Sequence, residues 1–321
     1  MSADLSGHGP AWLEWRAALA STRLHHGWIL AGPQGIGKGQ FARAAAAELV
    51  REAGRPQPDW DRHPDIHLLD HLPANDAEEE KRADGKPFQT RRNITIDQIR
   101  RMQKRLTTRP TLGTRRVIVI DPVDDLEKGA ANALLKSLEE PPRGTFFLLV
   151  AHRPGRLPAT IRSRCRVLRF APLDDGEIET VLAREAPEAD HATRAAAIVA
   201  AQGSPGMALG FVSEALGQAY QIMCAIMRDG DRDLALRGSL AEALGSRPGR
   251  LRLAAVLDLA RAVLARALAQ ATPERQARMI DAHAALVQLS GQAPTYNFDP
   301  GLLAMEIAGL LAAAAMPREM A

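Results

Sequence analysis

Residues 32–41 read GPQGIGKGQF, a glycine-rich loop closed by a lysine. Glycines in such a loop let backbone N–H groups point at phosphate oxygens, the N-terminus of the next helix adds positive potential, and the lysine reaches the terminal phosphates. Gly32, Gly35, Gly37 and Lys38 are therefore the candidate nucleotide-holding residues. The pattern GxxxxGK[ST] then asks for the hydroxyl that ligates magnesium, and this chain has Gly39 instead. Hydrolysis also needs a carboxylate at the end of a buried strand, often with a glutamate beside it as base. VIVIDPVDD at 117–125 supplies Asp121 but follows it with Pro122; Asp124 and Asp125 lie further on and are read as caps of the following helix.

Metal and thiol chemistry have weaker support. His63, His67 and His71 recur every four residues, but Pro64 breaks a helix between them. In a strand such residues stand about 13 Å apart, so no zinc site and no other metal is expected. Cys165 and Cys224 are the only cysteines, too few for a disulfide framework or a four-cysteine zinc module, which fits a reducing compartment and a cytoplasmic protein.

The elements that must position these groups follow from the apolar patterning. WILA at 28–31 leads into the glycine loop, and KGQFARAAAAELVREAG after it has helix-forming composition closed by Gly54. IHLLD at 66–70 reads as a short strand, and the charged NDAEEEKRADGKPFQTRR after it as a solvated loop. ITIDQIRRMQKRLTTRP has a helical stripe of Ile96, Ile99, Met102 and Leu106 stopped by Pro110. RVIVID and TFFLLVA are continuous apolar runs of the kind buried on both faces of a parallel sheet, separated by the helix LEKGAANALLKSLEE, which Pro141 and Pro142 end. PATIRSR and VLRF complete the alternation, and strands alternating with helices imply an α/β domain with a parallel sheet over residues 1–170. Beyond Pro172 the texture is Ala, Leu, Glu and Arg without strand-like runs, broken at QGSPGMALGF and GSRPGR. A small helical domain at 171–210 and a larger helical one at 211–321 are expected, the latter suited to a bundle or an oligomerising collar.

The 321 residues carry a net charge of +3, which permits nucleic-acid contact without arguing for it. RRMQKR at 100–105 reads first as a solvated helix face and is also a candidate for DNA contact. The opening MSADLSGHGPAWLEWR shows no signal or transit pattern, and GLLAMEIAGLLAAAAM is too short and interrupted to span a bilayer.

HPD at 63–65, ANALLKSLEEPP at 131–142, HRPGRLPATIRSRC at 152–165 and GSPGMAL at 203–209 occur in an order that resembles the delta-prime subunits of the bacterial DNA polymerase III clamp loader, a family of AAA+ proteins. The resemblance covers residues 1–210; beyond that the chain is similar only in being helical. It implies an AAA+ P-loop domain, a small helical lid domain and a helical collar, in a subunit that helps load the sliding clamp on primed DNA without hydrolysing ATP. It also implies other loader subunits, ATPase subunits and delta, as partners. The Ser163-Arg164-Cys165 motif would carry an arginine finger, Arg164, acting in trans on a neighbour's ATP. A guanidinium in that role is worth roughly 10³ to 10⁵ in rate, or about 4–7 kcal/mol. Cys165 reads as a small buried residue and Ser163 as local structure.

Departures from an active ATPase fall together: Gly39, Pro122, Ala151 followed by His152 where a polar sensor belongs, and Gly206 where an arginine would sense the γ-phosphate. No bound cofactor is expected on this reading, and the sequence leaves open whether the loop retains ATP. The alternatives are an active AAA+ motor using Lys38 and Asp121, or a metabolic P-loop nucleotide-binding enzyme, for which no small-substrate constellation is visible.

Overall fold

The structure, a computed structural model, describes residues 7–21, 23–52, 54, 56–86, 88–293 and 298–315. The parts of the sequence readings at 1–6, 22, 53, 55, 87, 294–297 and 316–321 lie outside the described residues. The chain divides into two compact units, Met1–Pro172 and Leu173–Ala321.

In the first unit the strands are β1 (Gly27–Ala31), β2 (Ile66–Leu69), β3 (Arg116–Ile120), β4 (Thr145–Ala151) and β5 (Arg166–Arg169). The helices are α1 (Gly9–Ala20), α2 (Lys38–Val50), α3 (Asp76–Ala83), α4 (Ile96–Leu106), α5 (Lys128–Glu139) and α6 (Ala159–Arg162). The strands pair parallel in the order β2-β3-β4-β1-β5. Trp28, Leu30, Val117, Val119, Leu148 and Val150 pack with Trp15, Phe41 and Leu49 of α1 and α2. Ile29, Ile118, Ile120, Phe147 and Leu149 pack with Ile99, Met102, Leu134 and Leu138 of α4 and α5. Successive residues of each strand thus enter opposite helical layers, which is why the runs are apolar throughout. Burying each such side chain is worth about 1.5–3 kcal/mol. The α/β, parallel-sheet architecture expected from the alternation is the one observed.

One segment differs from its sequence reading. The charged stretch after β2, expected as a solvated loop, contains helix α3. Asn75 caps it by accepting from Glu78 N at 3.0 Å, acidic residues fill its first turn, and Lys81 and Arg82 its last. Buried Glu78 then ties the segment together, accepting from Gln89 N at 2.6 Å and Lys81 Nζ at 2.7 Å. Helix α4 starts with a capping box between Thr95 and Gln98.

The HPD segment is a structural hub. Asp65 is fully buried and accepts from Thr111 N at 2.7 Å and Leu112 N at 2.8 Å. Buried Arg116 stands 3.8 Å from Asp65 and donates to the carbonyls of Arg105, Thr108 and Arg109. The two side chains lash the loop between α4 and β3 to the sheet edge.

The second unit comprises, among the described residues, α7 (Asp175–Glu185), α8 (His191–Ala201), α9 (Pro205–Ser213), α10 (Gly217–Asp229), α11 (Ala235–Leu244), α12 (Arg250–Leu268), α13 (Pro273–Gln292) and α14 (Pro300–Ala315). A single hydrophobic cluster runs from Ile178 and Leu182 through Phe211 and Met223 to Leu257, Leu286 and Ile307. Gln202 and Gly203, both at positive φ, end α8, and Ser204 caps α9 by accepting from Met207 N at 3.3 Å. Residues 210 and 211 lie inside α9. Among the described residues no helix is long and apolar enough to cross a membrane.

Candidate functional site

The glycine loop lies between the C-terminal end of β1 and the N-terminus of α2. Gly35 and Gly37 have φ of 78° and 96°, a conformation that only glycine adopts without strain. A side chain at Gly32 would meet the Phe170 carbonyl at 2.6 Å, so this glycine allows the loop to lie against the segment just after β5. From the other side, buried His8 places Nε2 within 2.5 Å of the Ile36 carbonyl.

Lys38 does not extend from the loop. It is 2% exposed and its Nζ donates to the loop's own carbonyls, Gly32 at 2.7 Å and Pro33 at 2.5 Å. Burial pulls its pKa down to about 8, against the opposing pull of the Asp121 and Asp124 carboxylates. Asp121, at the end of β3, occupies the space that a hydroxyl-bearing side chain would need: a Cβ built on Gly39 collides with its Oδ2 and lies 3.1 Å from Arg43 Nη1. Arg43 stands one helical turn after Gly39 on α2, with Nη2 3.7 Å from Asp121 Oδ2 and its guanidinium over the Trp60 ring at 5.3 Å. A guanidinium therefore faces the carboxylate where a metal-binding site would need a cation and its ligands. Asp121 thus stands beside a guanidinium, and Lys38 is bonded to the loop's own carbonyls.

The adjoining strand ends correct one sequence reading. Asp124 does not cap α5; it accepts from His152 N at 2.5 Å and Arg153 N at 3.0 Å, joining the end of β3 to the end of β4. Asp125 pairs with His71 at 3.2 Å, and the carboxylate raises the pKa of that imidazole. The N-cap residue of α5 is Glu127, which makes no side-chain cap but accepts from Ile96 N at 3.2 Å. Ala151 is buried in the sheet. His152 is half-buried, with its pKa lowered first by burial and next by Lys38. Gly206 is exposed near the start of α9 in the second unit.

The three histidines have separate partners. His63 accepts from Asp65 N at 3.1 Å, His67 lies 3.3 Å from Arg105, and His71 pairs with Asp125. His67 is pushed down to about 4 by burial and by Arg105 and Arg116. Among the described residues no cluster of His, Cys, Asp or Glu is arranged to hold a metal.

Arg164 lies at the other end of the sheet. Ala31 pairs with Arg169 and Trp28 with Arg166, so the loop leaves the sheet at the C-terminal edge while Arg164 precedes β5 at the N-terminal edge. The strand alone separates them by about 10 Å. Arg164 Nη1 donates to the Thr160 carbonyl at 2.9 Å and Ser163 Oγ at 3.2 Å, and Nη2 pairs with Glu139 at 2.7 Å. Its backbone is seated against β1: a Cβ on Gly27 would lie 3.1 Å from the Arg164 carbonyl and 2.9 Å from Cys165 Sγ. His26, just before, is bonded to the Leu138 carbonyl at 2.9 Å. Cys165 packs inward and burial pushes its thiol up to about 12, which makes it inert as a nucleophile.

The sequence reading missed Arg43, Glu139 and Gly27. Arg43 had a signal, an arginine four residues after the glycine that replaces the hydroxyl. Gly27 and Glu139 had none, because their partners are distant along the chain. In RRMQKR, Met102 is buried, Gln103 donates to the Ala133 carbonyl at 2.8 Å, and Arg100, Arg101 and Lys104 are exposed.

A family model described as DNA polymerase III, delta subunit, matches residues 7–174. The DNA polymerase III subunit delta' of Escherichia coli (strain K12) is 38% identical over 138 residues, 43% of this chain and 41% of that protein. The corresponding subunit of Pseudomonas aeruginosa is 33% identical over 177 residues, 50% of this chain and 48% of that protein. The matches thus span no more than about half the length of these relatives. A solved DNA polymerase III gamma subunit-related protein from Thermotoga maritima aligns over 95% of this chain and 99% of its own at 18% identity, with a TM-score of 0.47. With the family model covering more than half of it, this chain belongs to the DNA polymerase III delta-prime family of AAA+ proteins.

Proposed function

We propose that this chain is a clamp-loader subunit of the replicative DNA polymerase III assembly that does not hydrolyse ATP itself and supplies Arg164 to ATP bound by a neighbouring subunit. On this reading it works in the cytoplasm as a stator, held to ATPase subunits and a delta subunit through its helical unit while the sliding clamp is placed on primed DNA. The observation that carries it is the separation of Arg164 from the glycine loop across the sheet, with spare guanidinium donors at the surface. An arginine so placed is out of reach of its own loop and suited to a phosphate outside the subunit. The engagement of Lys38 with carbonyls and of Asp121 with Arg43 supports a loop without nucleotide.

The active-motor alternative would use Lys38 and Asp121 on ATP held in this chain. Equilibrium dialysis and an ATPase assay on the isolated chain separate the two. We expect no saturable ATP binding in the micromolar range and no turnover; turnover by the isolated chain would sink the stator reading.

A further inference from the structure

Arg164 and Glu139 come from different elements. Arg164 follows the short helix α6, whereas Glu139 is the last residue of α5, which ends before Pro141 and Pro142. They meet because both ends are fixed to the start of β1: His26 is bonded to the carbonyl of Leu138, and Gly27 lets the Arg164 backbone and Cys165 close in. The Glu139 carboxylate then reaches Arg164 Nη2 at 2.7 Å.

A guanidinium has five N–H donors in a rigid plane. Both on Nη1 go to the Thr160 carbonyl and Ser163 Oγ, while Nη2 forms an ion pair with the Glu139 carboxylate at 2.7 Å. Nε–H and the Nη2 N–H groups donate no hydrogen bond among the described residues. Two hydrogen bonds and one ion pair around one planar group fix its direction, leaving N–H donors on Nε and Nη2 for an incoming anion. Without the carboxylate the guanidinium keeps only the contacts of Nη1, both within its own turn, and regains rotamer freedom.

We infer that Glu139 is a positioning residue for the trans-acting arginine: its carboxylate oxygen holds the guanidinium in the pose that meets the neighbour's phosphate. The inference rests on the finger reading of Arg164 given above. The pair is too exposed, at 35% and 49% of the two side chains, to be a mainstay of the fold. Its effect therefore lies in the geometry of the reacting complex, where a misplacement of about 1 Å can cost on the order of 100-fold in rate.

The test is clamp- and primed-DNA-stimulated ATP hydrolysis by the reconstituted loader, with kcat and KM for ATP measured separately for wild type, Arg164→Ala, Glu139→Ala and Glu139→Gln. Glu139→Ala should lower kcat by about 10-fold, up to the loss in Arg164→Ala, with KM for ATP unchanged or lower because a negative charge near the phosphate is gone. Glu139→Gln keeps an oxygen acceptor and should recover most of the rate. Unaltered kcat in Arg164→Ala would overturn the finger reading and this inference with it. A loss in Arg164→Ala with none, or a gain, in Glu139→Ala would overturn this inference alone, as would a Gln variant as impaired as the Ala variant.

Discussion

Gly39 and Asp121 share one small volume, so restoring the missing hydroxyl does not restore a magnesium site. In Gly39→Thr the new side chain must displace the Asp121 carboxylate, which Arg43 faces. The variant should lose about 1–3 kcal/mol in urea unfolding, the range of an overpacked site, and gain no ATP turnover. Turnover in this variant would mean that the missing hydroxyl alone had silenced the site. Lys38 gives a pH signature at the same scale. Its pKa is about 8 in the folded chain against an ordinary 10.5. Between those values the unfolded chain binds more protons, so stability rises with pH across that window and is constant with respect to this group below it. Lys38→Met should remove that rise, read as the difference in urea midpoint between the two proteins at pH 7.5 and pH 10, roughly the ends of that window. Parallel midpoints would show that the ammonium is not desolvated.

Among the elements, the β2–β3 edge depends on a single buried carboxylate. Asp65→Ala leaves Arg116 buried without its charge partner and removes the carboxylate that the Thr111 and Leu112 amides donate to, and it should cost about 3–5 kcal/mol in chemical unfolding. Asp97→Ala, which removes an exposed pair with Arg100 on α4, should stay within about 0.5 kcal/mol of wild type. Equal losses would show that Asp65 is not the hub. The strands of this unit were legible in the sequence because residues buried on both faces make unbroken apolar runs. Helix α3 was not: it is short and highly charged, and its sign was Asn75 ahead of an acidic first turn and a basic last one. Helix α1 buries the stripe Ala11, Trp15 and Ala18, a short helical signal of small and aromatic residues. At the candidate site the glycine loop, Asp121 and Arg164 could be read from local motifs. The pairings of Asp121 with Arg43 and of Arg164 with Glu139 could not, since they are created by the sheet order and by α5 reaching back to β1.

At the scale of the whole molecule, a loop closed on itself stands at one end of the parallel strands and Arg164 at the other. The helical unit from Leu173 onward, with its continuous core, is the part we assign to holding neighbouring subunits. Arg100, Arg101 and Lys104 are exposed on α4. The central claim is that the chemistry served by this chain takes place on a neighbour's nucleotide. Its most direct test is single-turnover ATP hydrolysis by the reconstituted loader on clamp and primed DNA, comparing wild type with Arg164→Ala. The account predicts that one ATP site slows by about 10³-fold or more while the complex still assembles. Hydrolysis at the wild-type rate at every site would contradict it.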